Sequence, residues 1–209
     1  MPNAVRSASP SRYDAVVSLG ANCETAYQLR RLGLRTAAGP FDWFVTYSAA
    51  RVAEQIEGGF SRFMELADLV YIRDLATTYA VKDAYNLCVS YHDFPLGGGK
   101  DGWKAAYPAF RARVDRRTAR LRRLMQSGGR LLFVRTGGGR EDAERLRSAL
   151  ARTVKGEFEL LVLDKEGTPQ ADERWTLDRV RLATLRKGDN WRGDDGSWDR
   201  AMANVRLNR

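Results

Sequence analysis

Cys23 and His92, the only histidine among 209 residues, are the side chains whose types could do covalent chemistry. A thiol is a strong nucleophile only once it has lost its proton, and one histidine leaves one imidazole to take it. Cys23 follows Gly20-Ala21-Asn22 and precedes a run with helical periodicity, so it stands where a strand turns into a helix. The unpaired amides of a helix's first turn stabilise negative charge on sulfur, which predicts a depressed thiol pKa. The same amides, with the Asn22 side chain, can hold the oxyanion of an attacked carbonyl. Glu24 works mildly against a thiolate. The competing reading is that Asn22 or Cys23 caps the helix and the thiol packs in the core.

His92 lies in Val89-Ser90-Tyr91-His92-Asp93-Phe94, close to the end of a strand pattern. Strict alternation puts His92 on one face with Ser90 and Phe94 and turns Asp93 away, so the carboxylate orienting the imidazole must come from elsewhere. Asp42, within Pro40-Phe41-Asp42-Trp43, is the preferred candidate, with Asp101, Asp194 and Asp195 behind it. Each has a plain structural alternative: a half-buried histidine without a task, a turn or cap aspartate. Cys88, four residues before His92, falls on the same predicted face but has nothing near it to lower its pKa, and is read as structural. A metal site built from Cys23, Cys88 and His92 lacks any C-x-x-C or H-x-E spacing, so no metal and no cofactor are expected.

Other residues enter as candidates for contact with substrate. Arg135-Thr136-Gly137-Gly138-Gly139-Arg140 is a glycine-rich turn between strand and helix that could cradle a phosphate. It matches neither the Walker nor the dinucleotide pattern, and Glu141, Asp142 and Glu144 follow it at once, so a connecting turn is the preferred reading. Asn190-Trp191-Arg192-Gly193-Asp194-Asp195-Gly196-Ser197-Trp198 reads as a turn entering a capped helix, with packing as the main role of its tryptophans. Asn22, Arg135, Asp93, Asp194 and Trp191 form the candidate oxyanion and substrate-binding set.

The elements that must position these residues alternate. Ala15–Leu19 is an apolar strand, Glu24–Leu34 a helix, Ser48–Ile56 a second helix, and 60–74 ambiguous. Tyr79–Lys82 and Leu87–Phe94 are strands, the latter ended by Pro95 and Gly97–Gly99. Lys104–Ser127 is a long helix with a thin apolar stripe of Phe110, Val114, Leu121 and Met125. Arg130–Arg135, Phe158–Asp164 and Val180–Leu185 are strands, Glu141–Ala151 and Ser197–Val205 helices, and Glu166–Glu173 the most loop-like interior stretch. Apolar runs separated by amphipathic helices predict an α/β fold, a three-layer sandwich around a largely parallel sheet. Ligands gather at the carboxyl ends of such strands, where both Cys23 and His92 fall.

With 44% apolar residues the chain can bury a full core, and one α/β domain over 13–209 behind a flexible tail of 1–12 is expected. The opening stretch has no apolar core of a signal peptide, no segment suits a bilayer, and two cysteines suit a reducing compartment, which together predict a cytoplasmic protein. A formal charge of +9 invites nucleic acid, but the arginines of 104–127 surround their helix and are mostly solvated, so nucleic acid is not an expected partner. A small-molecule or peptide substrate is, an anionic one among the options.

Tyr13-Asp14, Ser18-Leu19-Gly20-Ala21-Asn22-Cys23, Ala26–Arg35 and Gly39-Pro40-Phe41-Asp42-Trp43-Phe44 together resemble a bacterial family named for papain-like cysteine peptidases. Ser90-Tyr91-His92-Asp93-Phe94 and Trp191-Arg192-Gly193-Asp194-Asp195 with Trp198 resemble the same family. The resemblance implies Cys23 as nucleophile and His92 as base, with a papain-like α+β fold as the alternative architecture. The chain departs from papain in having no glutamine at the expected distance before Cys23, no tryptophan after it and no evident asparagine following His92. Three readings follow: a cysteine-dependent hydrolase or acyltransferase, a transferase using His92 or Asp42 as base and Arg135, Arg140 or Arg192 to grip an anionic donor, and a non-catalytic binding module.

Overall fold

A computed structural model describes residues 10–168 and 175–208. The strands are β1 (Ser11–Tyr13), β2 (Ala15–Ser18), β3 (Phe44–Thr46), β4 (Leu69–Asp74), β5 (Thr78–Asp83), β6 (Cys88–Pro95), β7 (Leu131–Thr136), β8 (Phe158–Lys165), β9 (Val180–Leu185) and β10 (Val205–Leu207). The helices are α1 (Cys23–Arg31), α2 (Ala49–Glu57), α3 (Tyr107–Gln126), α4 (Arg140–Thr153) and α5 (Asp195–Ala201).

The fold is mixed α/β. Strands β2-β7-β8-β9 form a four-stranded parallel sheet, and β3-β6-β5-β4 form an antiparallel sheet of equal size. The parallel sheet is covered on both faces, as the apolar runs predict. Val17, Leu131, Phe133, Leu160 and Val162 meet residues of α2, α3 and α4, while Val16, Leu132, Val134, Leu161 and Leu163 meet Leu29 of α1 and Trp198 of α5. Alternation along each strand thus feeds two cores, and each fully buried Leu, Val or Phe contributes roughly 1.5–3 kcal/mol relative to exposure. The antiparallel sheet departs from the single, largely parallel sheet that the apolar runs predict. Strands β3 to β6 lie in sequence between two strands of the parallel sheet and pair among themselves: short turns join β4, β5 and β6, and β3, separated from β4 by α2, pairs with β6.

Several element boundaries differ from expectation. Residues 60–74 hold a short 3-10 turn, Leu66–Asp68, and then β4. The long basic helix starts later, at Tyr107, after a 3-10 turn over Gly102–Ala106. The last helix ends at Ala201, and Val205 opens β10, which pairs in parallel with β1. Ser11 and Arg12, expected in the tail, are therefore strand residues; positions 1–9 of that tail, and 169–173 of the expected interior loop, lie outside the described residues. No helix among the described residues is long and apolar enough to cross a membrane.

Candidate active site

The chain leaves β2 through two left-handed residues, Gly20 (φ 75°) and Ala21 (φ 81°), and Asn22 then caps α1. The Asn22 Oδ1 accepts from Glu24 N at 2.9 Å, which fixes Cys23 as the first helical residue. Thr46 of β3 holds this turn to the antiparallel sheet: its Oγ1 accepts from Ala21 N at 3.0 Å and its N–H donates to Ala21 O at 2.9 Å. The elbow thus ties the nucleophile's helix to the sheet that carries His92.

The two residues meet. Cys23 Sγ lies 3.7 Å from His92 Nε2, within reach of an S–H···N hydrogen bond. They open into a cleft of about 310 Å³ lined by Asn22, Cys23, Glu24, Val45, Tyr91, His92, Lys165 and Trp191. That volume admits a side chain or a small acyl group. Trp43 approaches the imidazole edge-on, ring centroids 6.4 Å apart, and the Arg35 guanidinium lies 5.7 Å from the Trp43 ring.

His92 arrives by a different route from the one alternation predicts. Tyr79 pairs with Phe94 and Val81 with Ser90, so Tyr91, His92 and Asp93 stand opposite Ala80 alone, a bulge in β6. The bulge breaks the period of two. Ser90 and Phe94 are buried while His92 is exposed, and Asp93 turns inward to accept from Ser90 Oγ at 2.8 Å and Arg113 at 3.2 Å. His92 therefore does not share a face with Ser90 and Phe94. Cys88, predicted beside His92, is 1% exposed, and burial holds its thiol pKa far above the usual range.

The Cys23 thiol is likewise not depressed. Burial pushes its pKa up to about 11, the Asp93 and Asp42 carboxylates add to the rise, and its own backbone N–H offsets only part of it. The helix amides are present as expected, but desolvation outweighs them.

Asp42 is buried next to the site without touching the imidazole. It accepts from Arg35 Nε at 2.5 Å and from Gly39 N at 2.8 Å. Arg135 is turned away from the cleft and into the molecule. Its Nη1 donates to Leu19 O (2.8 Å) and Thr46 Oγ1 (3.1 Å), its Nη2 to Thr46 O (3.2 Å), and burial lowers its pKa to about 10. A guanidinium so placed braces the elbow and is not free to grip an anionic donor. Asp194 caps α5, accepting from Ser197 N at 2.8 Å, which keeps its carboxyl below the ordinary range. Trp191 stands at the rim of the cleft, 54% exposed, edge-on to Tyr27 at 5.4 Å.

Sequence reasoning missed how α1 grips the late tryptophan segment. Glu24, 1% exposed, accepts from Trp198 Nε1 at 3.0 Å and pairs with Lys165 at 2.7 Å. Gln28 donates to Arg192 O and to Asp195 Oδ1, at 2.6 and 2.7 Å. Gly193 (φ 81°) must lack a side chain, because a Cβ there would collide with the Glu24 carboxylate. Lys165 and Tyr91 also line the cleft without having been singled out; the signal for Lys165 was its place at the carboxyl end of a parallel strand.

Residues 14–157, more than half of the chain, match the family described as "Putative papain-like cysteine peptidase (DUF1796)". The chain belongs to this family. The matched span contains both Cys23 and His92. "Uncharacterized protein R408" of Acanthamoeba polyphaga mimivirus is 30% identical over 134 residues, which cover 57% of this chain and 60% of that protein. No solved structure matches the chain.

Proposed function

We propose that the protein is a cysteine-dependent hydrolase or acyltransferase. The observation that carries this reading is the 3.7 Å approach of Cys23 Sγ to His92 Nε2 at an open cleft, on a helix N-terminus. Because the thiol is protonated at rest, His92 acts as a general base during attack and not as half of a standing ion pair. Nε2 takes the thiol proton as sulfur bonds to the carbonyl carbon, and the C=O electron pair moves onto oxygen. The Cys23 N–H and the Asn22 side-chain NH2 are the donors we assign to that oxyanion. Collapse expels the leaving group, which takes the proton from the imidazolium and leaves a thioester on Cys23. Water then releases the acid in a hydrolase, or a second nucleophile takes the acyl group in a transferase.

Asp42 serves as a positioning residue in this reading, holding Arg35 against Trp43, whose ring in turn abuts His92. Asp93 supports the bulge that presents His92, Arg135 braces the elbow, Trp191 offers an apolar wall to the acyl group, and Asp194 anchors the helix that carries Trp198. The family description supports a peptide among the acyl substrates. A thiol that must stay reduced suits a cytoplasmic setting.

The test is acylation by p-nitrophenyl acetate read by intact mass. One acetyl group on Cys23 is expected, lost in Cys23→Ala and retained in Cys88→Ser. Acetylation that survives Cys23→Ala unchanged sinks the reading.

A further inference from the structure

A second cavity, of about 150 Å³, shares no lining residue with the cleft. It is walled by residues 14–18 of β2 and its approach, the 35–39 loop, and Arg117, Arg120, Leu121 and Leu124 of α3. Its charges do not balance. Three guanidiniums, Arg35, Arg117 and Arg120, line it with two carboxylates, Asp14 and Asp42. Asp14, at the edge, is engaged by Arg130 N (2.7 Å) and Asn208 Nδ2 (2.8 Å).

The bonds made by these groups leave specific atoms unmet. Arg35 pairs with Asp42 Oδ2, and Arg120 Nη1 donates to Ala38 O at 3.2 Å. Arg117 senses Asp42 and Asp93 as charges without a hydrogen bond to either, among the described residues, and is repelled by Arg35 and Arg113 while burial opposes its charge. Asp42 Oδ1 is buried, 1% exposed as a residue, and has no hydrogen-bond partner among the described residues. A half-buried cation without a partner and a buried acceptor without a donor are both costly unless something fills the space between them.

We propose that this cavity is a phosphate-binding site. Three guanidiniums against the Asp14 and Asp42 carboxylates leave the lining net positive, which favours an anion, and planar N–H forks suit tetrahedral oxygens. The hydrogen phosphate dianion also carries one O–H, which gives Asp42 Oδ1 the donor it lacks. Sulfate offers the same charge without that proton. A phosphomonoester dianion lacks that proton as well, so the occupant that fits Asp42 Oδ1 is free hydrogen phosphate. The site is separate from Cys23 and does not depend on the thiol chemistry.

Titration calorimetry of the intact protein at pH 8 and low salt, with sodium phosphate, sodium sulfate and ribose 5-phosphate, tests this. One saturable phosphate site is expected, with Arg117→Gln weakening it by at least about tenfold, the scale of one hydrogen bond to a charged group, and Arg117→Lys falling between. Sulfate should bind about tenfold more weakly than phosphate, for want of the bond to Asp42. Ribose 5-phosphate, whose phosphoryl dianion carries no O–H at pH 8, should bind as weakly as sulfate, and its binding as tightly as phosphate also overturns the proposal. Circular dichroism without ligand checks folding of the variants, and Arg120→Gln replaces Arg117→Gln if the latter is unfolded. Absence of saturable binding, equal affinity of Arg117→Gln, or sulfate binding as well as phosphate overturns the proposal.

Discussion

Burial sets the resting state of the Cys23 thiol, and its consequence can be measured. With a pKa near 11, the thiolate fraction grows about tenfold per pH unit through the neutral and mildly alkaline range. Alkylation of Cys23 by iodoacetamide should therefore keep accelerating between pH 8 and pH 10, while Cys88, 1% exposed, stays unlabelled in the folded protein. A plateau reached below pH 8 would instead reveal a standing thiolate–imidazolium pair. The types and order of Cys23 and His92 were readable from the chain because cysteine at a strand-to-helix turn and a lone histidine are rare signals. The pKa was not, since first-turn amides are a local feature whereas desolvation depends on how segments distant in the chain pack around Cys23.

At the scale of elements, α1 does two things: its first turn presents Cys23, and its inner face binds the segment from Arg192 to Trp198. Glu24→Ala removes the acceptor of Trp198 Nε1 and the partner of Lys165, and should lower stability by about 2–3 kcal/mol in urea unfolding. A cost below about 0.5 kcal/mol would mean that the segment is held by other contacts. Asn22→Ala, which removes the helix cap, should cost about 1 kcal/mol. Parallel strands were legible as apolar runs because burial on both faces erases alternation. The β6 bulge was not legible, because Ser90-Tyr91-His92-Asp93 reads equally well as regular strand and only pairing with β5 shows the extra residues.

For the whole molecule, acid should act through a few aspartates. Asn208 and Arg130 hold the Asp14 carboxyl below the ordinary range, Arg62 does so for Asp68, and the amide of Ser197 for Asp194. Folded values below unfolded ones stabilise the protein above the usual aspartate pKa of about 3.9, and that contribution fades as pH falls through the folded values. The melting temperature should thus drop below about pH 4, and a flat profile there would show that these carboxylates do not matter to folding. The parallel half of the molecule followed from periodicity, while the antiparallel half, and the junction at Thr46 where the two sheets position Cys23 against His92, depend on contacts distant in sequence. The central claim is that His92 takes the Cys23 proton as the thiol attacks. The rate of Cys23 acetylation by p-nitrophenyl acetate at pH 7.5, in wild type and His92→Ala, tests it most directly. A loss of about 100-fold in the variant is predicted for a missing general base, and an unchanged rate would contradict the claim.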